Sequence, residues 1–328
     1  MAGGAKLAAA ARRPRMPTAQ PNVVLAAPLY ENAEYLESAL DSLLAQTHRD
    51  FALVLVDDRS SDATAEIARR YAAEDSRVTY ERNPQRLGLA GNWRRAFALA
   101  RERHPGAEYF AWASDHDLWD PRWLATLVAE LERRPEVVLA YPHTVRISGE
   151  GEVIRDPYTF ETVGEGDARV RVRRTCLDVM AGDMVYGLAR AEAVEHAGVF
   201  RAVLEPDRLL LVEMAIQGSF RQVPETLWQR RFKKLAADRS RARRTLFPGG
   251  VPLHARLAPW LAHFCLLAWV YGVRGHGRPA VGRGLGLVLA FDFLATALRR
   301  VARRRAGRAR KRWQRWRKRR VASLRRGR

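Results

Sequence analysis

Three polar clusters in this 328-residue chain each follow an apolar run of strand length. PLYEN (28–32) follows NVVLAA, DDRSSD (57–62) follows FALVLV, and SDHD (114–117) follows AEYFAWA. Asp115 and Asp117 are two apart, and on an extended segment such residues point to the same side. Carboxylates held that way suit a hard divalent ion, Mg²⁺ or Mn²⁺, which prefers oxygen ligands and completes its shell with water and diphosphate oxygens. Asp57 and Asp58 close the second run, where a carboxylate can accept hydrogen bonds from a base N–H or from ribose hydroxyls. Helix capping competes, because Asp117 and Asp120 both precede an apolar helical pattern. Capping accounts for one aspartate more easily than for two acidic pairs at separate strand ends. Ser60, Ser61 and Asp62 already serve the helix that follows, which leaves Asp57 and Asp58 free for another task.

The elements that must position these clusters alternate from residue 22 onward. AEYLESALDSLLAQ (33–46) sets Leu36, Leu40, Leu43 and Leu44 on one helical stripe, with Asn32 as N-cap. A helix is expected at about 63–73 with Ile67 and Tyr71 facing in, then a short strand at 77–81 and a helix over 91–103. Asp120 followed by Pro121 marks the start of a helix reaching 134, and EVVLAYP (136–142) is a further strand. Strands separated by helices of this length imply right-handed crossovers and a mostly parallel sheet with helices on both faces. Ligands bind such sheets beyond the carboxyl ends of the strands, where the three clusters fall.

Past residue 150 the pattern loosens. GEVIRDPYTFETVGEGDARVRV (151–172) reads as loop with alternating short strands, and MVYGLARAEAV (184–194) as a strand entering a helix. EPDRLLLVEMAIQG (205–218) reads as a helix with an acidic start and a glycine stop, followed by a short strand.

The formal charge of +21 is local: residues 299–328 hold 17 Arg or Lys and no acid, so the preceding 298 residues carry only +4. A hydrophobic content of 47% excludes wholesale disorder. Two cysteines cannot build a disulfide framework or a cysteine-only zinc site. The opening 1–20 reads as a disordered leader, with Met16 an alternative start and too short an apolar stretch for a secretory signal. The expected place is the cytoplasm, at the inner face of the cell membrane.

Residues 257–298 contain the apolar stretches LAPWLAHFCLLAWVYGV and LGLVLAFDFLATAL, both short for a bilayer span, and the second interrupted by Asp292. Helices resting on a membrane face fit them better. A tail arginine near an anionic leaflet is worth about 1 kcal/mol, and Trp313 and Trp316 suit the interfacial zone. Peripheral contact with an anionic membrane is therefore expected. No specific nucleic-acid partner is, since no recognised module precedes the tail.

VVLAAPLYENAEYLESALDSLLAQTHRDFALVLVDDRSSDAT, RNPQRLGLAGNW and YFAWASDHDLWDPRWL, in that order over residues 22–142, resemble the family 2 glycosyltransferases of GT-A fold. The likeness continues more weakly through VYGLARAEAV and the segment beginning EPDRLLL. It implies a GT-A-type, Rossmann-like sheet over 21–235, with a nucleotide-binding half (21–142) and an acceptor half (143–235). An apolar helical segment (236–298) and the polybasic tail (299–328) would follow.

By that resemblance Pro28, Tyr30 and Glu31 form the first nucleotide-contacting loop, and Asp58, with Asp57 beside it, holds the nucleobase. Gly88 and Asn92 close over the nucleotide. Asp115 and Asp117 correspond to the DxD element, Asp117 being the direct metal ligand. Asp207 stands at the place of the general base, and Arg230 and Arg231 meet the departing diphosphate. Four departures stand out. Arg59 replaces a usual glycine, Asn32 comes one position late, Lys233 sits where a histidine is common, and Pro206 splits Glu205 from Asp207 so that either can be the base. Glu213 is expected to lie too deep. The implied reaction is inverting, metal-dependent transfer of a sugar from a nucleoside-diphosphate sugar to a glycan or lipid-linked acceptor hydroxyl. It would be non-processive, since WQRRFKK lacks the spacing of the processive synthases. Two alternatives are weighed against it. A nucleotidyltransferase needs a glycine-rich loop that PLYENAEYL does not supply. A protein acting only through its arginine-rich tail, on nucleic acid or anionic membrane, would leave the three clusters without a task.

Overall fold

The computed structural model describes residues 21–148, 152–155, 159–178, 181–231, 246–250, 252–253, 257–275 and 282–326. The expected leader (1–20), Lys233 and the 235/236 boundary lie outside the described residues.

Strands β1 (Val23–Leu29), β2 (Phe51–Asp57), β3 (Val78–Arg82) and β4 (Tyr109–Trp112) are parallel neighbours in the order β3-β2-β1-β4. The sheet continues through β8 (Leu188–Arg190), β6 (Val137–Ile147), β9 (Ser219–Arg231) and the two-residue β5 (Leu118–Trp119), with β7 (Val153–Arg155) beside β6. β8 is antiparallel to both neighbours, β6 and β9 are parallel, and β5 is antiparallel to β9.

β1, and β2 as far as Val56, are apolar because both faces of the sheet are covered. Val24, Ala26, Val54, Val56, Phe110 and Trp112 point into one core, with Trp93, Phe97 and the helix that follows residue 205. Val23, Leu25, Ala27, Leu53, Leu55 and Tyr109 alternate into the other, with Leu36, Leu40, Leu124 and Leu127. Pro28, lacking an N–H, is tolerated in this central strand because β4 pairs with β1 only as far as Ala26.

The helices are α1 (Ala33–Leu44), α2 (Thr64–Glu74), α3 (Gly88–Arg103), α4 (Trp123–Arg133), α5 (Ala168–Asp178), α6 (Ala181–Met184), α7 (Ala191–His196) and α8 (Pro206–Gln217). Several caps come from distant residues. Asn32 makes no side-chain cap bond to α1; instead the N–H of Ala33 donates to Asp62 Oδ2 at 3.0 Å. α4 starts at Trp123 rather than Pro121, and its Leu124 N–H donates to Gln46 Oε1 at 2.9 Å.

Two readings of the second half are corrected. The alternation DARVRV is not strand but the start of α5, because the Arg171 side chain is inside: it donates to the carbonyls of Ala215, Ile216, Glu165 and Gly166. Val172, Thr175 and Cys176 then fall on one buried helical face. The strand after Gly218 is long, 13 residues, and pairs along β6 to Arg231. β6 runs across the 142/143 division, so the two expected halves share one sheet.

The C-terminal segment packs on α5 and α8 as a hairpin of α9 (Pro259–Leu267), continued by a π-helical turn (Ala268–Val273), and α10 (Arg283–Arg326). α10 is continuous across residue 298, so the basic tail is its extension. No helix among the described residues is long and apolar enough to cross a membrane.

Candidate active site

The ends of β1, β2, β4 and β9 meet at one edge. The chain leaving β4 bends at Asp115 and His116 before entering β5. The two carboxylates are therefore not aligned on an extended segment as the spacing predicts. Asp115 Oδ2 accepts the Tyr30 N–H at 3.2 Å, joining the ends of β1 and β4. Asp117 Oδ1 accepts the Arg231 N–H at 2.8 Å, joining β4 to β9. The His116 ring lies between, with Nδ1 2.7 Å from Asp115 Oδ1 and Nε2 3.8 Å from Asp117 Oδ1. One small ring thus touches both carboxylates, so the bend still brings them together.

Asp117 is 1% exposed. Burial pushes its carboxyl above the usual carboxylate range; His116, the Arg231 N–H, Arg230 and Ser114 oppose that without overcoming it. A desolvated carboxylate of this kind is a demand for positive charge. In donor chemistry Asp115 and Asp117 fit a hard divalent ion. They supply two ligands, and no group of three or more His, Cys, Asp or Glu side chains placed for a metal occurs among the described residues. The rest of a shell would come from diphosphate and water oxygens.

The second acidic pair is spoken for, and the expectation that caps elsewhere leave it free is corrected. Asp57 is fully buried: Oδ1 accepts from the Ser60 N–H and hydroxyl at 2.8 and 2.6 Å, and Oδ2 from the Tyr80 hydroxyl at 3.0 Å. Asp58 accepts from Leu87 N at 2.7 Å, Gly88 N at 2.8 Å and Asn83 Nδ2 at 3.0 Å. It caps α3 from the end of β2, which is why that helix begins a turn earlier than its apolar pattern, at a Gly88 with φ of +73°. Asn92 is equally engaged, donating to Val56 O at 3.0 Å and accepting from Asn83 at 2.9 Å. Asp57, Asp58 and Asn92 hold the loops that frame the site.

The residues around Tyr30 are more exposed. Tyr30, partly exposed, lies under the Arg86 guanidinium, 4.1 Å from its ring centroid. Burial raises the Tyr30 hydroxyl pKa, with Arg86 acting against it. Beside it are the exposed Glu31, which accepts from Ser61 at 2.9 Å, and Arg59, whose side chain reaches Pro84 O at 2.8 Å. Glu31 and Arg59 both hold left-handed backbone, with φ of 49° and 63°. That geometry explains why a glycine is common at the second position, and strain of this kind gathers at functional loops. Arg86 escaped the sequence reading, because an exposed arginine in a polar loop has no pattern of its own.

Arg230 and Arg231 leave β9 on opposite faces. Arg231 donates its Nε to His116 O at 3.0 Å and stacks over Tyr35, so it braces the bend. Arg230 pairs with Asp183. Burial works against its charge, but Asp183, Tyr186 and Asp117 outweigh that and raise its pKa. Tyr186, partly buried, is the hub. Burial lifts its hydroxyl pKa, and the charges acting on it are Asp117, Arg230, Asp115 and Asp207 in turn. Asp207 lies in the first turn of α8 and is partly exposed. Its own carboxyl is pushed up by burial, against the Arg208 N–H and charge. Glu205 turns to Arg208 at 3.3 Å and is exposed. Glu213 is locked to Arg201 at 2.7 Å and takes the Tyr271 hydroxyl at 3.3 Å.

A family model described as Glycosyl transferase family 2 matches residues 25–193. A protein described as an uncharacterized glycosyltransferase of Rickettsia typhi is 33% identical over 104 residues, 32% of this chain and 30% of that protein. One so described from Nostoc sp. is 30% identical over 128 residues, 38% of this chain and 37% of that protein. The matched stretch thus spans about a third of these curated relatives. The crystal structure of S. aureus TarS 1-349 in complex with UDP-GlcNAc superposes with a TM-score of 0.59 at 12% identity, covering 84% of this chain and 72% of that one. The fold it shares with such structures is GT-A.

Proposed function

This chain belongs to glycosyl transferase family 2, and we propose that it transfers a sugar from a nucleoside-diphosphate sugar to an acceptor hydroxyl, with inversion at the anomeric carbon. The observation that carries this reading is the pair of strand-end carboxylates, Asp115 and Asp117, joined through His116 at the carboxyl edge of the sheet with the arginines that end β9 beside them. A diphosphate needs cationic partners, which a bound metal and these arginines would supply.

The residues of this edge divide the work between donor and acceptor. Tyr30 and Arg86 offer a ring and a guanidinium at the mouth, suited to a nucleotide's base or phosphates. Asp115 and Asp117 would hold Mg²⁺ or Mn²⁺, which when bound neutralises charge on the leaving diphosphate. Arg230, kept charged by Asp183, places a second cation near Asp117. Asp207 takes the proton of the acceptor hydroxyl as that oxygen bonds to the anomeric carbon, while the bond from that carbon to the diphosphate oxygen breaks. A raised carboxyl pKa makes Asp207 a better base than an exposed aspartate. Glu205, exposed and paired with Arg208, is the weaker choice. A non-processive enzyme of cell-surface glycan or glycolipid synthesis fits this site, with a glycan or lipid-linked acceptor, and the arginine tail then serves the enzyme rather than replacing it.

Turnover of nucleoside-diphosphate sugars with Mn²⁺ tests the reading. Asp117→Ala is expected to lose at least about a hundredfold in kcat/KM while its circular dichroism spectrum stays native. Undiminished turnover in that variant would overturn it.

A further inference from the structure

We propose that the outer face of the α9–α10 hairpin is a docking surface for an anionic lipid bilayer. Of the exposed large apolar side chains among the described residues, all but Leu89 and Val153 lie from Leu253 onward. Soluble surfaces do not gather apolar area in this way without a partner.

The exposed residues form one face. On α10, Val288, Phe291, Ala295 and Leu298 recur at helical spacing and point outward, while Leu289, Phe293, Thr296 and Ala297 are buried toward the body of the protein. On the hairpin's other arm Trp269 and Val273, a turn apart, are 54% and 52% exposed. The arms join without a polar break. The Phe264 ring lies 5.3 Å from Phe291, and Leu287 rests against Gly272. Trp313, 55% exposed, comes 25 positions after Val288. At about 100° per residue that returns it to within about 20° of the same direction, so the stripe extends into the basic half of the helix.

Charge selects the occupant. Exposed Arg274 and Arg283 border one end of the face, and Arg299 and Arg303 the other. The single acid of α10, Asp292, is drawn inward to Arg169 at 2.6 Å and Arg173 at 2.7 Å on α5, which leaves no unpaired negative charge along the stripe. A second copy of the chain would bring its own arginines against these, at a cost in like-charge repulsion. A nucleic acid would meet the arginines but leave Trp269, Phe291 and Leu298 in water. An anionic bilayer satisfies both, with the helix in the interfacial plane, its apolar stripe among the acyl chains and its arginines at the headgroups.

The test uses the full-length protein with extruded vesicles of phosphatidylcholine alone or with phosphatidylglycerol, followed by co-sedimentation and tryptophan emission. The wild type is expected to sediment with the anionic vesicles and not the neutral ones, with a blue-shifted emission. The double variant Trp269→Glu, Phe291→Glu alters two exposed positions, so it should keep its unfolding temperature yet bind at least tenfold more weakly. Unchanged binding by that variant would reduce the effect to arginine electrostatics and overturn the proposal. So would a wild-type dimer that the variant converts to monomer, which would make the face a self-interface. Donor turnover in detergent-free solution reads the catalytic site separately, so either idea can fail alone.

Discussion

Asp207 and Glu213 lie six residues apart on α8, and their surroundings divide their roles. Glu213 is paired in the interior, whereas Asp207 is partly exposed in the first turn of α8 and burial raises its carboxyl pKa. Asp207→Asn is expected to lower kcat by about 10²- to 10⁴-fold and to leave the donor KM nearly unchanged, as steady-state kinetics would show. As the proposed base, Asp207 must be ionised to work. Since burial raises its pKa, kcat/KM should fall as pH drops through a value above the ordinary aspartate pKa of about 3.9, and the acid limb of a pH–rate profile reads this. At this scale the sequence was a partial guide. The spacing of Asp115 and Asp117 announced a site, but the bend at His116 that brings them together is set by bonds to Tyr30 and Arg231, 85 and 114 residues away in sequence. The partners of Asp57 and Asp58, Tyr80 and the backbone at 87–88, were equally out of sight, so two engaged carboxylates read as free ones.

Among elements, those with a single strong signal were legible. Continuous apolar runs gave β1, β2 and β4, and the Leu36-Leu40-Leu43 stripe gave α1, because burial on fixed faces leaves few alternatives. Period-two alternation hides α5 because it presumes that arginine faces water, and Arg171 instead donates to four backbone carbonyls. β5 has two residues and no signal of its own. The hairpin's attachment is testable here. Glu213, between Arg201 and Tyr271, ties α8 to the turn after α9. Glu213→Ala strands a largely buried guanidinium and should lower the unfolding free energy by about 3 kcal/mol, measured by urea titration. The Asp292 pairs work from the surface side. Arg169 and Arg173 hold its carboxyl below the usual range, so their stabilisation is present at neutral pH and lost as pH falls below the unfolded value of about 3.9. Asp292→Asn should therefore lower the melting temperature at pH 7, and the difference from wild type should vanish toward pH 3.

For the molecule as a whole, one sheet with two covered faces brings residues 28–31, 115–117, 230 and 231 to a common edge, and the helical hairpin packs beside α8. The charge of +21 says little about this domain, since 17 of the cationic residues lie in the terminal 30. A diphosphate is common to all nucleoside-diphosphate sugars, so nucleotide binding at the carboxyl edge is the step that every donor shares. Isothermal titration of UDP, GDP, ADP and dTDP into the protein, with Mn²⁺ or with EDTA, tests that most directly. At least one should bind with Mn²⁺, and bind at least tenfold more weakly in EDTA and to Asp117→Ala. Equal affinity in all three settings, or no binding by any of the four, would contradict the account.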